Sequence, residues 1–310
     1  MRRFLITGGA GFIGSRIALR LQELYPKAYI LVVDNFFSGH FKNLYGFKGD
    51  VIEGAIEDKD LWEYLKKEYA SFEAVFHNGA ITDTTILDQK LMMDVNTNSM
   101  KYIIDACIKW DAKLIYASSA GVYGNTEAPM KEDRGLIPEN VYGFSKLMAD
   151  NMVKNKMEEY PSFRVVGFRY FNVYGMGEQY KGKTASMIYQ LAMQMKSGKN
   201  PRLFKYGEQK RDFVYIEDVL QANIKALERY DASGIFNVGY GKARSFNDIV
   251  EVLNRLMGTN YEIEYFDCPY EFYQNYTEAD ISAIKEKLGY EPKYDLESGI
   301  EHYLKSLKLI

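Results

Sequence analysis

The sequence predicts an α/β protein, with a doubly wound parallel sheet followed by a smaller C-terminal α/β substrate portion. Three observations lead to this class. Short apolar, β-branched runs alternate with amphipathic stretches over the first half of the chain, a glycine-rich turn follows the first run at once, and the regularity falls away after about residue 170. In order, strands are expected at 3–7 around Phe4-Leu5-Ile6, 28–34 around Ile30-Leu31-Val32-Val33, and 50–53. Further strands are expected at 74–78, 113–118 and 165–170. Helices are expected between them at 11–23, 59–68, 94–110 and 142–157, the intervals that a parallel sheet needs for its crossovers. Beyond residue 170, Gly, Lys and aromatic residues crowd 174–183 and 203–212. The apolar run Ile235, Phe236 and Val238, ended by Gly239, reads as a strand at 234–238 that returns to the first sheet. The expected division is therefore 1–170, with a returning segment near 211–240, and 171–310.

Composition narrows the function. The 310 residues carry 39 basic and 42 acidic side chains, a formal net charge of -3, so no cationic field is available to hold nucleic acid. No apolar run approaches the roughly 18 residues of a membrane span, and the first segment enters its glycine turn after five residues, so neither a membrane span nor a secretory leader is expected. A cytoplasmic, homo-oligomeric protein without membrane contacts is expected. Cys107 and Cys268 lie far apart and read as neutral thiols, while His40, His77 and His302 form no ligand cluster, so no metal is expected.

The turn is Gly8-Gly9-Ala10-Gly11-Phe12-Ile13-Gly14, between a strand and a helix. Gly8 permits the bend, Gly11 a close approach of backbone to pyrophosphate, and Gly14 tight helix packing, with the Phe12 and Ile13 amides facing the anion. Asp34, about 20 residues on, ends the second strand where a carboxylate can accept ribose hydroxyls. This is a dinucleotide cradle of Rossmann type. Asp34 argues for NAD, whereas neutral Asn35 followed by His40 and Lys42 argues for a 2′-phosphate. NADP is the expected cofactor, with NAD left open. Asn78, Gly79 and Ala80 follow another strand and predict a second close approach, with Asn96 anchoring a helix or the cofactor loop nearby.

Tyr142 and Lys146 stand four residues apart on a predicted helix, so they share a face. An ammonium next to the phenol, together with the positive nicotinamide ring, favours the phenolate and makes Tyr142 an acid/base. Lys146 also suits the nicotinamide ribose. Ser118 and Ser119 end the strand 113–118, the edge at which open α/β sheets bind ligands, and Ser119 can share the reacting oxygen with Tyr142.

The segments TGGAGFIG, YASSAGVYG, VYGFSK and RYFNVYG resemble the extended short-chain dehydrogenases/reductases that act on nucleotide sugars, a group within the NAD-dependent epimerases and dehydratases. The similarity runs nearly end to end. GFRYFNVYG followed by Lys181-Gly182 and Ala185-Ser186, together with RDFVY at 211–215, is most similar to the branch that inverts C6 of an ADP-heptose for the lipopolysaccharide inner core. That resemblance implies a nucleotide-sugar epimerase holding its cofactor permanently. It withdraws hydride from C6, lets the 6-ketone turn over, and returns hydride to the other face, with Tyr142 and Lys181 as the two bases. It further implies Val173 and Lys181 beside the cofactor, and Asn172, Lys183, Gln190, Phe204, Arg211 and Tyr273 on the ADP-sugar. Arg211 suits a pyrophosphate because its planar fork donates two parallel bonds. Three departures bear on these roles. Lys183 stands where the family more often has a small residue and competes with Lys181, Met176-Gly177 replaces a frequent Pro-Arg, and the loop after Asp34 is one residue short. Rival readings are a UDP-hexose 4-epimerase, which needs no Lys181, a 4,6-dehydratase, which usually has an acid pair after Ser119, and a non-catalytic nicotinamide sensor.

Overall fold

The structure, a computed structural model, describes residues 1–267 and 274–310. Its main sheet has seven parallel strands: β1 (Arg3–Thr7), β2 (Tyr29–Asp34), β3 (Asp50–Glu53), β4 (Ala74–His77), β5 (Lys113–Ser119), β6 (Val165–Tyr170) and, much later in the chain, a strand at Gly234–Val238. Between them run helices α1 (Phe12–Leu24), α2 (Lys59–Glu68), α3 (Gln89–Met93), α4 (Met100–Trp110) and α5 (Val141–Glu159). Later elements are β7 (Asn172–Tyr174), α6 (Met187–Lys196), β8 (Arg202–Phe204), β9 (Lys210–Tyr215), α7 (Ile216–Glu228), β10 (Gly234–Val238), β11 (Ala243–Ser245), α8 (Phe246–Met257), β12 (Glu264–Phe266), α9 (Ser282–Leu288) and α10 (Leu296–Ser306).

The sheet order is β10-β6-β5-β4-β1-β2-β3. The crossovers run one way from β1 and the opposite way from β4, so the crevice opens above the carboxyl ends of those two neighbours. Register brings the ends level: Thr7 pairs with Val33 on one side and His77 on the other, while β5 runs on past β4 to pair Ser119 with Tyr170. Every residue of β4 and β6 is buried, which is why these strands read as continuous apolar runs rather than alternating ones. The side chains still alternate between two cores. Phe4 and Ile6 pack with Ile17 and Leu21 of α1 on one face, while Leu5 packs with Trp62, Ile103 and Cys107 on the other.

β11, β9 and β7 form a separate three-stranded sheet, and β12 pairs with β8. The helix expected from residue 94 begins as a π turn over Asp94–Asn98, a local widening of the helix that is frequent beside functional sites. Among the described residues no helix is long and apolar enough to cross a membrane, and no group of three or more His, Cys, Asp or Glu side chains is placed to hold a metal ion.

Candidate active site

One cavity of about 890 Å³ runs over the β1/β4 crevice. Its wall includes Gly8, Gly11, Phe12, Ile13, Gly14, Asp34, Asn35, Asn78, Gly79 and Ala80 near the glycine turn. Ser118, Ser119, Tyr142, Lys146, Asn172, Val173, Lys181 and Arg211 complete it among the residues expected from sequence. Such a volume suits a large ligand more than a single small substrate.

The turn is built on close backbone contact. Gly8 has φ +64°, and a Cβ there would lie 2.5 Å from the Gly79 nitrogen. A Cβ on Gly14 would lie 2.2 Å from the Gly8 carbonyl oxygen. Gly11 begins α1 without a side-chain cap, leaving the first amides of the helix to the cavity. Asp34 is buried at the end of β2, and its carboxylate accepts the Ala10 amide at 2.8 Å and the Phe36 amide at 2.8 Å. Asp34 therefore fixes the turn as well as facing the cavity.

Two residues hold the other half of the cradle. Thr7 Oγ1 accepts the Gly79 amide at 3.3 Å and shares a 2.7 Å hydrogen bond with His77 Nδ1. Burial lowers His77 to a pKa of about 3, so it stays neutral and acts as a fixed polar wedge. Asn96 is not in the cavity wall. Its amide donates to Ile81 O (3.0 Å) and Ser145 Oγ (3.1 Å) and its oxygen accepts the Ile81 amide (2.8 Å), which ties the segment after β4 to α5. The side chain is thus engaged in anchoring the loop after β4, the role its position suggests, and does not itself line the cavity.

The tyrosine and its lysine lie on the first two turns of α5. Asn140 caps this helix by accepting the Gly143 amide at 2.8 Å. Gly143 allows the helix start to sit on the turn after β5, because a Cβ there would meet Gly121 O at 2.3 Å. The phenol thereby reaches the strand-end serines. Burial raises the Tyr142 pKa, and only a hydrogen bond with Ser119 pulls it back. Lys146 is buried and donates to Ala117 O at 3.0 Å; burial brings it down to about 8, with the Asp150 carboxylate working in the opposite direction. The expected depression of the phenol by this ammonium is not found, since Lys146 is turned onto the strand carbonyl and desolvation dominates Tyr142.

The other wall is the segment after β7. Lys181 is half-buried with its ammonium 5.9 Å from the Phe12 ring centroid, and desolvation lowers its pKa against the pull of Glu178. Lys183 points elsewhere: its side chain is 78% exposed and its Nζ lies 3.4 Å from Asp83 Oδ2. Gln190 donates to Ala185 O at 2.7 Å and Lys183 O at 3.2 Å, bracing the segment outside the cavity wall. Phe204 packs edge-on against Phe266 at 5.0 Å, also outside that wall. Lys42 is exposed, 5.8 Å from the Tyr180 ring centroid, beside a stack of His40 on Tyr180 at 4.2 Å. Arg211 faces the cavity and donates to Lys210 O at 2.9 Å, while the neighbouring Asp212 accepts the Tyr240, Gly241 and Ala279 amides. Tyr273, expected on the sugar, lies outside the described residues. Sequence reasoning missed Glu57, Thr82, Glu178, Tyr180, Ser186 and Phe213 in the wall. Of these, Ser186 carried a signal as part of the Ala185-Ser186 pair, and Phe213 as part of the RDFVY segment.

Residues 4–239 match the profile of the NAD dependent epimerase/dehydratase family. The chain belongs to that family. Across 100% of its length and 97% of the other chain, it is 47% identical to the Helicobacter pylori ADP-L-glycero-D-manno-heptose-6-epimerase, with a TM-score of 0.93. It is 30% identical to the Thermotoga maritima UDP-glucose 4-epimerase (99% and 98% covered, TM-score 0.91). It is 27% identical to a Methanobrevibacter ruminantium UDP-N-acetylglucosamine 4-epimerase (99% and 98% covered, TM-score 0.89). An epimerase/dehydratase of this family uses a nicotinamide dinucleotide, and the residues present fit one. The glycine turn leaves no space for side chains where a pyrophosphate would pass, and Ser118 Oγ, buried and facing the cavity, has no hydrogen-bond partner among the described residues.

Proposed function

We propose that this protein inverts C6 of ADP-D-glycero-D-manno-heptose to give ADP-L-glycero-D-manno-heptose, a precursor for the lipopolysaccharide inner core. Residues 1–170 with the returning strand would serve mainly the cofactor, and 171–310 mainly the sugar nucleotide. The bound nicotinamide would take the C6 hydride and give it back. NADP is favoured, because Asp34 already receives two backbone amides and Ser38 and His40 stand in the neighbouring wall.

Inversion through a ketone needs a proton handled on each face of C6. Tyr142, oriented by Ser119, accepts the O6 proton on one face, and Lys181 exchanges it on the other. Protonated on its own account, the phenol is suited to return a proton as well as to accept one once positive charge lies beside it. Lys146 orients the ribose next to the reacting carbon, and Arg211 pairs with the sugar nucleotide's pyrophosphate. A single observation carries this reading: Tyr142 with Ser119 and an ammonium-bearing Lys181, from segments far apart in the chain, face one cavity that also contains a dinucleotide cradle.

The test is incubation of the purified protein with ADP-, GDP- and UDP-sugars, following inversion by NMR with no cofactor added. We expect C6 inversion of the ADP-heptose alone and release of NADP on denaturation. Inversion at C4 of a UDP-hexose, or an absolute need for stoichiometric external cofactor, overturns the assignment.

A further inference from the structure

The loop 175–186 carries Lys181, yet the residue that organises it is an acid. Glu178 is 1% exposed. Its Oε1 accepts the Gly175 amide at 3.0 Å and the Ser186 hydroxyl at 2.9 Å, and its Oε2 accepts the Ser186 amide at 2.5 Å. A single carboxylate thus joins the end of β7 to the start of α6, where the same Ser186 hydroxyl caps the helix by accepting the Tyr189 amide at 3.2 Å. Between these ends, the Lys181 amide donates to Glu178 O at 2.9 Å, and Lys181 O accepts the Thr184 amide at 3.2 Å and the Thr184 hydroxyl at 2.9 Å. The lysine peptide is held on both sides by a turn whose ends are closed by Glu178. The carboxylate also stands in the cavity wall.

We infer that Glu178 is the positioning residue of Lys181, fixing the loop so that the lysine side chain faces the cavity. The inference rests on the proposed role of Lys181. A buried carboxylate is costly unless its lone pairs are filled, and here three donors from two segments fill them. Desolvation lowers the lysine pKa, and Glu178 is the charge that opposes it. The other titratable groups that feel this carboxylate are the phenols of Tyr303 on α10 and Tyr189 on α6, both raised by burial and by Glu178. Neither competes as a cation. An amide could not replace the carboxylate: one end of Gln would present an N–H to backbone N–H groups, so the tie would open on that side.

The experiment uses the full-length protein with its cofactor bound, comparing wild type with Glu178→Gln, Ser186→Ala and Lys181→Met. Limited trypsin digestion reads cleavage after Lys181 and Lys183, which needs the loop to open. Glu178→Gln is expected to speed that cleavage about tenfold or more, as loss of a buried charge-assisted hydrogen bond from the closed loop would do. Its kcat should fall by about 10²-fold, the scale of a misplaced reacting group, with KM for the ADP-heptose within about threefold of wild type. The limb of the pH–kcat profile that disappears in Lys181→Met should move to lower pH in Glu178→Gln. Should Glu178→Gln not fold, Ser186→Ala removes one donor and should give faster cleavage and a smaller loss of kcat in the same direction. Wild-type protease resistance in whichever of the two variants folds overturns the inference. Near-normal turnover of Lys181→Met would overturn the role of Lys181 instead, and faster cleavage in Glu178→Gln alongside it would assign that failure to the lysine and not to the loop.

Discussion

The two walls of the cavity are held by different kinds of force. The wall around the glycine turn and the start of α5 is fixed by backbone: a positive φ at Gly8, contacts that exclude a Cβ at Gly14 and Gly143, and strand register that levels Thr7 with His77. The wall after β7 has little regular structure, two short 3-10 turns over Glu178–Tyr180 and Gly182–Thr184, and is closed by the side chain of Glu178 reaching both ends. The first wall presents groups that a repetitive scaffold places. The second is tied end to end by the buried Glu178 side chain and braced by Gln190. A site built this way can keep its cofactor wall constant while the substrate wall is remade by few substitutions.

The largest expected effect concerns the first wall. Tyr142→Phe removes the phenol hydroxyl that hydrogen-bonds Ser119 and is proposed as the acid/base, while the ring itself is kept, so kcat should fall by about 10²-fold or more, the usual worth of a positioned acid/base. Cofactor retention through gel filtration should stay at the wild-type level, which separates chemistry from binding. Near-normal turnover would remove Tyr142 from the mechanism and leave the backbone-built wall as a binding surface only.

That difference also explains what the sequence disclosed. Strands at 3–7, 50–53, 165–170 and 234–238 emerge with the bounds read from the chain: 3–7, 165–170 and 234–238 are mostly buried, apolar runs of a parallel sheet, while 50–53 is an exposed edge strand whose end is marked by Gly54. The cradle, Tyr142, Lys146 and the strand-end serines were legible for the same reason: each sits at a fixed offset from a regular element. Glu178 was not. Its partners are at 175 and 186, on either side of a loop with no periodicity, and an acid in such a loop reads as solvated charge. Lys183 marks the opposite error. It was a plausible ligand by type, and only coordinates reveal that it faces Asp83 and water, whereas Asn96 anchors the loop after β4 through Ile81 and Ser145. Hydrogen bonding across tens of residues leaves no local pattern to read.

A smaller effect sharpens the cost of the first wall. Lys146 ordinarily titrates at 10.5 and in the fold at about 8. Between those values the unfolded chain holds a proton that the folded chain has released, so the stability lost to burying this ammonium is fully present below about pH 8 and is recovered as pH rises toward 10.5. At 1.36 kcal/mol per unit the penalty is of order 3 kcal/mol. Lys146→Met should therefore be more stable than wild type at pH 7 while losing most activity, and the gap should close with rising pH. Denaturant midpoints of both proteins at pH 7 and 9.5 measure it; a gap that stays constant or widens would mean that Lys146 is stabilised in place and that α5 carries no functional strain.

The smallest effect separates the two lysines of the second wall. Lys183 is one residue past the turn glycine, mostly exposed, and paired only loosely with Asp83 at 3.4 Å. Exposed pairs of this kind contribute about 0–1 kcal/mol. Lys183→Met should leave stability within that range and change kcat less than about fivefold, the rate equivalent of about 1 kcal/mol, whereas Lys181→Met, at a side chain desolvated against Phe12 and opposed by Glu178, should impair inversion far more. The comparison has to be made on kcat with the ADP-sugar saturating, because a surface cation near the cavity mouth can alter KM through long-range attraction without touching the reaction. Were the order reversed, the loop would have to turn over on binding so that residue 183 enters and 181 leaves. The Glu178 tie, which fixes 181 through its own peptide, would then describe a resting arrangement that catalysis breaks.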